Sequence, residues 1–128
     1  MQNEQSFTVS VVGELSGETF RGDFKVRKLL SHRQQLAYDA KRRELLGSNP
    51  VGTSGRADSL TEVFAQLAVR IVEAPSWWVE SGGGMDLIDD NVVIRVFEQT
   101  MLAEREAREA IAKRAEEAKA TLGKIAQQ

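Results

Sequence analysis

The chain has 128 residues, 41% of them hydrophobic and 28% charged, which suits one globular domain of ordinary size. It has no cysteine, which excludes disulfides, thiolate chemistry and cysteine-ligated metals, and its formal charge of −2 argues against wholesale nucleic-acid binding while leaving room for a local basic patch. No stretch approaches the ~18 apolar residues that span a bilayer, and the N-terminus lacks the charged and apolar regions of a signal peptide, so residence in a cytosol is expected.

Ser6–Val12 alternates Phe7, Val9 and Val11 with Thr8 and Ser10, the two-residue period of a half-buried strand. Glu14–Gly17 has turn chemistry. Alternation resumes over Thr19–Arg27, with Phe20, Gly22, Phe24 and Val26 on one face and charged residues on the other. Together they predict an antiparallel hairpin, in which Gly22 marks a bulge or a close approach of another backbone. A lone hairpin is marginal in water, so the phenylalanine face needs a helix or another chain's strand against it.

Ser31 followed by Gln34 predicts a capping box at the start of a first helix. Leu36, Ala37 and Ala40 supply its apolar positions, Lys41, Arg42 and Arg43 place positive charge where the helix dipole favours it, and Gly47 is the expected C-cap. Ser48–Gly55 reads as a polar loop, flexible by composition. A second helix is predicted over Asp58–Glu73, with Leu60, Phe64, Leu67 and Ile71 as its apolar stripe, broadened by Val63 and Val72, and Pro75 ends it. Adjacent tryptophans follow in Ser76–Val79, and Ser81–Gly84 is the expected hinge.

Asp89 and Asp90 open the last helix as N-cap and first-turn acids; from there to Gln128 no proline occurs and the single glycine is Gly123. In heptad register Ile94, Phe97 and Met101 begin an apolar seam that should pack on the body. Glu104 and Arg108 interrupt it as an i,i+4 acid–base pair, and Ile111, Ala115, Ala118, Leu122 and Ile125 continue it in smaller residues. At ~1.5 Å per residue the helix reaches roughly 60 Å, about twice the width of a small domain, so its outer part should project. The expected architecture is α+β, an N-terminal antiparallel hairpin followed by three helices, with a body over residues 1–103 and a charged, alanine-rich projection over 104–128.

Few residues suggest chemistry. His32, the only histidine, falls in the first turn of a helix beside Arg33 and reads as solvated, and no Ser/His/Asp arrangement has a spacing that supports it. Asp86, Asp89 and Asp90 do not follow a calcium-loop pattern, and Gly82–Gly84 lacks the Lys-Ser/Thr of a phosphate loop. No catalytic, metal or cofactor site is expected, and the chain is read as a non-enzyme. Between residues 25 and 43 seven bases stand against one acid, Asp39. Arg33, Lys41, Arg42 and Arg43 are the candidate anion contacts, against the alternative of a solvated face with dipole compensation. The candidate partner-binding residues are Phe20 and Phe24 on the hairpin, Trp77 and Trp78, and the outer seam Ile111, Ala115, Ala118, Leu122 and Ile125. The tryptophans equally suit a core beneath a connecting loop, and the outer seam equally suits a solvated single helix.

Gly17–Val26, Ala74–Trp78 (Ala-Pro-Ser-Trp-Trp) and Asp86–Asp90 (Asp-Leu-Ile-Asp-Asp), in that order, resemble segments of the tail assembly chaperones of tailed phages, over roughly residues 15–102. The resemblance implies a non-enzymatic protein that binds a long tape-measure protein and recruits tail-tube subunits in the host cytoplasm. Many such proteins are also made in a frameshifted, C-terminally extended form. The charged end of this chain is longer than the resemblance requires. That leaves, as an alternative, a structural or cement component of the virion docked through its C-terminal helix. Homo-oligomer formation is open in both readings, and a nucleic-acid-binding module built on residues 25–43 is a third.

Overall fold

The computed structural model describes residues 2–47 and 55–126. In chain order its elements are strands β1 (Glu4–Val12) and β2 (Thr19–Arg27), helices α1 (His32–Leu46) and α2 (Gly55–Arg70), strand β3 (Ile71–Glu73), a short helix α3 (Ser76–Glu80) and the long helix α4 (Asp90–Ala126). The fold is α+β, an N-terminal antiparallel hairpin followed by helices of which the last is long. The loop expected over Ser48–Gly55 lies outside the described residues except for Gly55, which opens α2, and the end of the last helix at Gln127 and Gln128 also lies outside them.

β1 and β2 pair in unbroken register from Glu4↔Arg27 to Val12↔Thr19. Val9, Phe20, Phe24 and Val26 are buried on one face, with Phe7 and Val11 packed partly against them. Gly22 sits opposite Val9 in regular pairing, so it is a close approach and not a bulge: a Cβ there would lie 2.5 Å from the Pro75 ring. The helix expected to run to Glu73 stops at Arg70. Ile71–Glu73 instead extends the sheet, pairing through Val26↔Ile71 and Lys25↔Glu73. Branched Ile71 and Val72 suit a strand as well as a helix turn, and the open edge of β2 decides between them.

The core is aromatic at its centre. Trp78 meets Phe24 edge-on (5.6 Å between ring centroids), Trp77 meets Phe20 (5.1 Å) and Phe24 (5.7 Å) in the same manner, and Phe24 stacks on Phe7 (5.4 Å). Leu67 of α2 and Val93 and Val96 of α4 complete the cluster. The glycine run is no loose hinge. Gly82, Gly83 and Gly84 all adopt positive φ, the Gly83 N–H donates to the Trp78 carbonyl (3.0 Å), and a Cβ on Gly84 would lie 2.5 Å from the Trp78 ring. Ser81–Gly84 is a tight turn wrapped on the buried indole.

α1 begins with the capping box, Ser31 Oγ accepting from the Gln34 N–H and Gln34 Oε1 from the Ser31 N–H, and ends at Gly47, whose N–H donates to the Arg43 and Glu44 carbonyls. Its expected apolar positions are misplaced: Leu36, Ala37 and Ala40 are exposed, and no α1 residue is buried. The helix meets α2 through polar groups, the Tyr38 hydroxyl donating to Glu62 and Arg42 pairing with Asp58 (3.2 Å) and Glu62 (3.6 Å). Burial first, and then the hydrogen bond to the Glu62 carboxylate, push the Tyr38 phenol up to about 12.

α4 buries Val92, Val93, Val96, Thr100 and Ala103, while Ile94 is 50% exposed and Phe97 and Met101 are half-buried. The buried face is therefore rotated by roughly a third of a turn from the expected seam. Two polar anchors set that rotation. The Asp89 carboxylate is buried and accepts from the Leu15 N–H (2.6 Å), the Ser16 N–H (3.0 Å) and the Ser16 hydroxyl (2.6 Å). Beside it Asn91 Oδ1 accepts from the Glu14 N–H (3.1 Å) and Asn91 Nδ2 donates to the Val12 carbonyl (2.9 Å). The sequence casts Asp89 as the cap of its own helix; its carboxylate caps the hairpin turn instead, and a Cβ at Gly13 would lie 2.3 Å from it. Farther along α4, beyond the core valines, Glu104 meets buried Arg70 (3.1 Å), which also donates to Gln66 (2.8 Å) and the Lys28 carbonyl (3.3 Å).

The Ser16 hydroxyl, helped by the two backbone donors, holds the Asp89 carboxyl below its usual range against the opposing pull of burial. The folded state thus prefers the ionised form. Its stabilisation is complete above the ordinary carboxylate value of about 3.9 and is lost as pH falls through the lower folded value. Asp89→Asn should lower Tm at pH 7 and flatten the fall in stability below about pH 4; an acid limb identical to that of the parent chain would contradict the clasp. Tyr38 has the opposite sign: its contribution is present below about 10, the unfolded value, and is lost as pH rises through the folded one. Because it is the only tyrosine, ultraviolet titration should read a native midpoint near 12, and a native midpoint near 10 would refute the Tyr38–Glu62 contact.

Candidate functional site

The aromatic residues expected to meet a partner are used inside the chain. Phe20, Phe24 and Trp78 are 5%, 1% and 4% exposed, and half-buried Trp77 donates its indole N–H to the Arg21 carbonyl (3.0 Å). The reason is α3: it lays both tryptophans across the hairpin, so the phenylalanine face finds its cover within the same molecule.

Much of the basic segment is paired with acids of the same chain. Lys41 pairs with Glu44 (3.5 Å), Arg42 with Asp58 and Glu62, and Arg43 with Asp39 (3.2 Å). Arg27 donates to the Val69 carbonyl and Lys25 lies 4.0 Å from Glu73. Of the four candidate anion contacts, Arg33 alone makes no ion pair among the described residues. His32 is exposed. Among the described residues no group of three or more His, Cys, Asp or Glu side chains is placed to hold a metal ion.

A concave apolar surface lies where α2, the 85–88 segment and the start of α4 meet. It is a groove of about 600 Å³. Val63, Phe64, Leu87 and Val93 are its more buried lining, and Leu60, Met85, Ile88 and Ile94 stand in it 37%, 51%, 63% and 50% exposed. The Arg56–Asp90 ion pair (2.8 Å) also lines it. Sequence reading assigns Leu60 and Ile94 to the core. The rotation of α4 turns Ile94 out of the core and towards α2, and so creates the groove. A signal for it does exist in the chain: Met85, Leu87 and Ile88 are three apolar residues in four directly after a glycine run, more than a solvated loop requires. Four large apolar side chains gathered in one concavity differ from the scattered apolar residues of an ordinary surface, and such a groove fits the apolar face of an amphipathic helix.

The second unoccupied surface is the outer part of α4. Ala103 is its last buried residue and Ala107 its last half-buried one; every residue over 108–126 is exposed. The Glu104–Arg108 pair forms (3.0 Å), with Glu104 simultaneously bound to Arg70. Beyond it Ile111, Leu122 and Ile125 are 42%, 65% and 62% exposed, in line with exposed Ala115 and Ala118.

No protein-family model matches the chain, and no curated protein or solved structure matches it significantly. Among the described residues no helix is long and apolar enough to cross a membrane.

Because Ile88 and Ile94 are half or more exposed, replacing both with lysine should change stability by no more than about 0.5 kcal/mol per site. The same double variant should lose most binding of an environment-sensitive apolar dye. Full dye binding by the variant would mean that the groove is not an accessible apolar site.

Proposed function

We propose that this chain is a non-enzymatic binding protein of the tail assembly chaperone kind, which holds an apolar helical segment of a tape-measure-type client in the groove between α2 and α4. The observation that carries this reading is the groove itself: four exposed large apolar side chains around a partly buried apolar lining, on a body whose hairpin phenylalanines and tryptophans are already committed to its core. A helical client laid there would remove Leu60, Met85, Ile88 and Ile94 from water, each worth on the order of 1 kcal/mol or more as exposed area is covered. Recruitment of tail-tube subunits, residence in the host cytoplasm during assembly and a frameshifted longer form belong to the same reading and rest on the sequence resemblance alone.

The exposure of residues 108–126 favours a second reading, a structural component of the particle that docks through this helix. Nucleic-acid binding gains no support, because Lys41, Arg42 and Arg43 are each neutralised by a carboxylate of the chain.

The chaperone reading expects the gene to neighbour tail-tube and tape-measure genes, and the chain to co-purify with that tape-measure protein when the two are co-expressed. The Ile88→Lys, Ile94→Lys double variant should fail to do so while keeping its Tm. Mass spectrometry of purified particles separates the two readings: absence supports the chaperone, and stoichiometric presence supports the structural component.

A further inference from the structure

The outer part of α4 carries information about its own partner. Every residue over 108–126 is exposed, about 28 Å of helix at the usual rise. Its apolar seam is symmetric about the peptide between Glu116 and Glu117. Moving outward in the two directions, Ala115 corresponds to Ala118 and Ile111 to Leu122, and the apolar symmetry ends there, because Ile125 falls opposite the charged Arg108. A seam with this symmetry is complementary to itself when reversed.

We infer that this segment is a self-docking surface, through which two copies of the chain pair antiparallel about a two-fold axis at Glu116–Glu117. In that register Ala115 of one copy faces Ala118 of the second, which lets the backbones approach closely, and Ile111 faces Leu122 on either side. The aliphatic stem of Arg108 covers Ile125. The contact is isologous and closes at two copies.

The charges select the same arrangement. Arg114 and Lys119 flank the seam on opposite sides, and Glu117 and Glu116 lie one step farther round on the respective sides. The antiparallel register brings Lys119 of one copy to Glu116 of the second, and Arg114 to Glu117, each pair occurring twice. Among the described residues none of these four side chains forms an ion pair within its own chain, whereas nearby Arg105 and Arg108 pair with Glu109 and Glu104. A parallel pair in register would set Arg108 against Arg108 and Arg114 beside Lys119, like charges in both places. Sterics agree. In this register Ala126 falls opposite Ala107, the last half-buried position, so over the described residues the overlap stops where burial against the body begins.

The pairing is independent of what fills the groove, and its test leaves the groove intact. In sedimentation equilibrium of the full chain up to about 1 mM, the parent should pass from monomer to dimer, and a chain ended after Ala107, which keeps the Arg70–Glu104 pair, should remain monomeric. Glu116→Lys and Lys119→Glu should each weaken association by about tenfold, and an equimolar mixture of the two should restore it, because both crossed pairs are then attractive. The chain has no cysteine, so orientation can be read directly: Ala115→Cys chains mixed with Ala118→Cys chains should form the mixed disulfide in preference to either symmetric one. A monomeric parent chain, a dimer that survives truncation, a mixture no tighter than its components, or a dominant disulfide joining two Ala115→Cys chains to each other would each overturn the inference. Capture of a client helix by 108–126 in a chain that stays monomeric would do so as well.

Discussion

The hairpin turn at residues 13–18 is fastened to the start of α4 by one carboxylate and one amide more than seventy positions away. A turn pressed against a helix end leaves backbone N–H groups with no ladder to join, and the buried Asp89 carboxylate beside them would be costly without hydrogen-bond donors. Asp89 and Asn91 resolve this by accepting from Glu14, Leu15 and Ser16. An ionised acceptor makes the stronger bond, and the bare Cα of Gly13 lets it come near. Much else depends on this junction. It fixes where α4 begins and how it is turned about its axis, so Val92 and Val96 face the sheet and Ile94 faces α2. The core, the groove and the direction of the outer helix are consequences of the same few hydrogen bonds.

The far end of the body is fixed differently. Arg70, at the junction of α2 and β3, is almost wholly enclosed, and its guanidinium is shared among Glu104, Gln66 and the Lys28 carbonyl. A buried ion pair of this kind adds little net stability compared with an apolar replacement, but removing one partner strands the other and costs roughly 3–5 kcal/mol. The body therefore ends on an electrostatic closure and not on an apolar one. Glu104 belongs to the body's integrity even though its side chain also reaches Arg108 on the exposed side, so a cut before Glu104 damages the body as well as removing the projection.

What the sequence makes legible is local. The two-residue alternation of β1 and β2, the Ser31–Gln34 box, the Gly47 cap and the uninterrupted helical run after Asp90 each depend on neighbours a few positions apart, and each is present in the structure. The misreadings share the opposite property. Ile71–Glu73 becomes a strand because β2 offers an edge, and α1 turns Tyr38 and Arg42 inward because α2 presents Asp58 and Glu62 there. The glycine run tightens because Trp78 lies beneath it. Ile94, Phe97 and Met101 obey heptad spacing, yet the rotation of α4 is decided by Asp89 and Glu104. Hydrophobic period locates a helix; it does not say which polar contact will choose its face. The partner-surface expectation for Phe20, Phe24 and Trp78 failed for the same reason, since nothing in the spacing shows that α3 folds back over the hairpin.

The clean end of burial at Ala107 also divides the chain thermodynamically. The body, tied together by contacts distant in sequence, has the makings of a cooperative unit that opens all at once. The isolated outer helix is a helix–coil system in one dimension: its last turns fray first, Gly123 eases the loss, and each turn inward is held slightly longer than the one beyond it. Both tryptophans lie in the body, so their fluorescence is blind to this second process, while amide exchange along residues 108–126 would be graded rather than uniform. One polypeptide thus carries two kinds of order, one that melts as a block and one that only grows shorter.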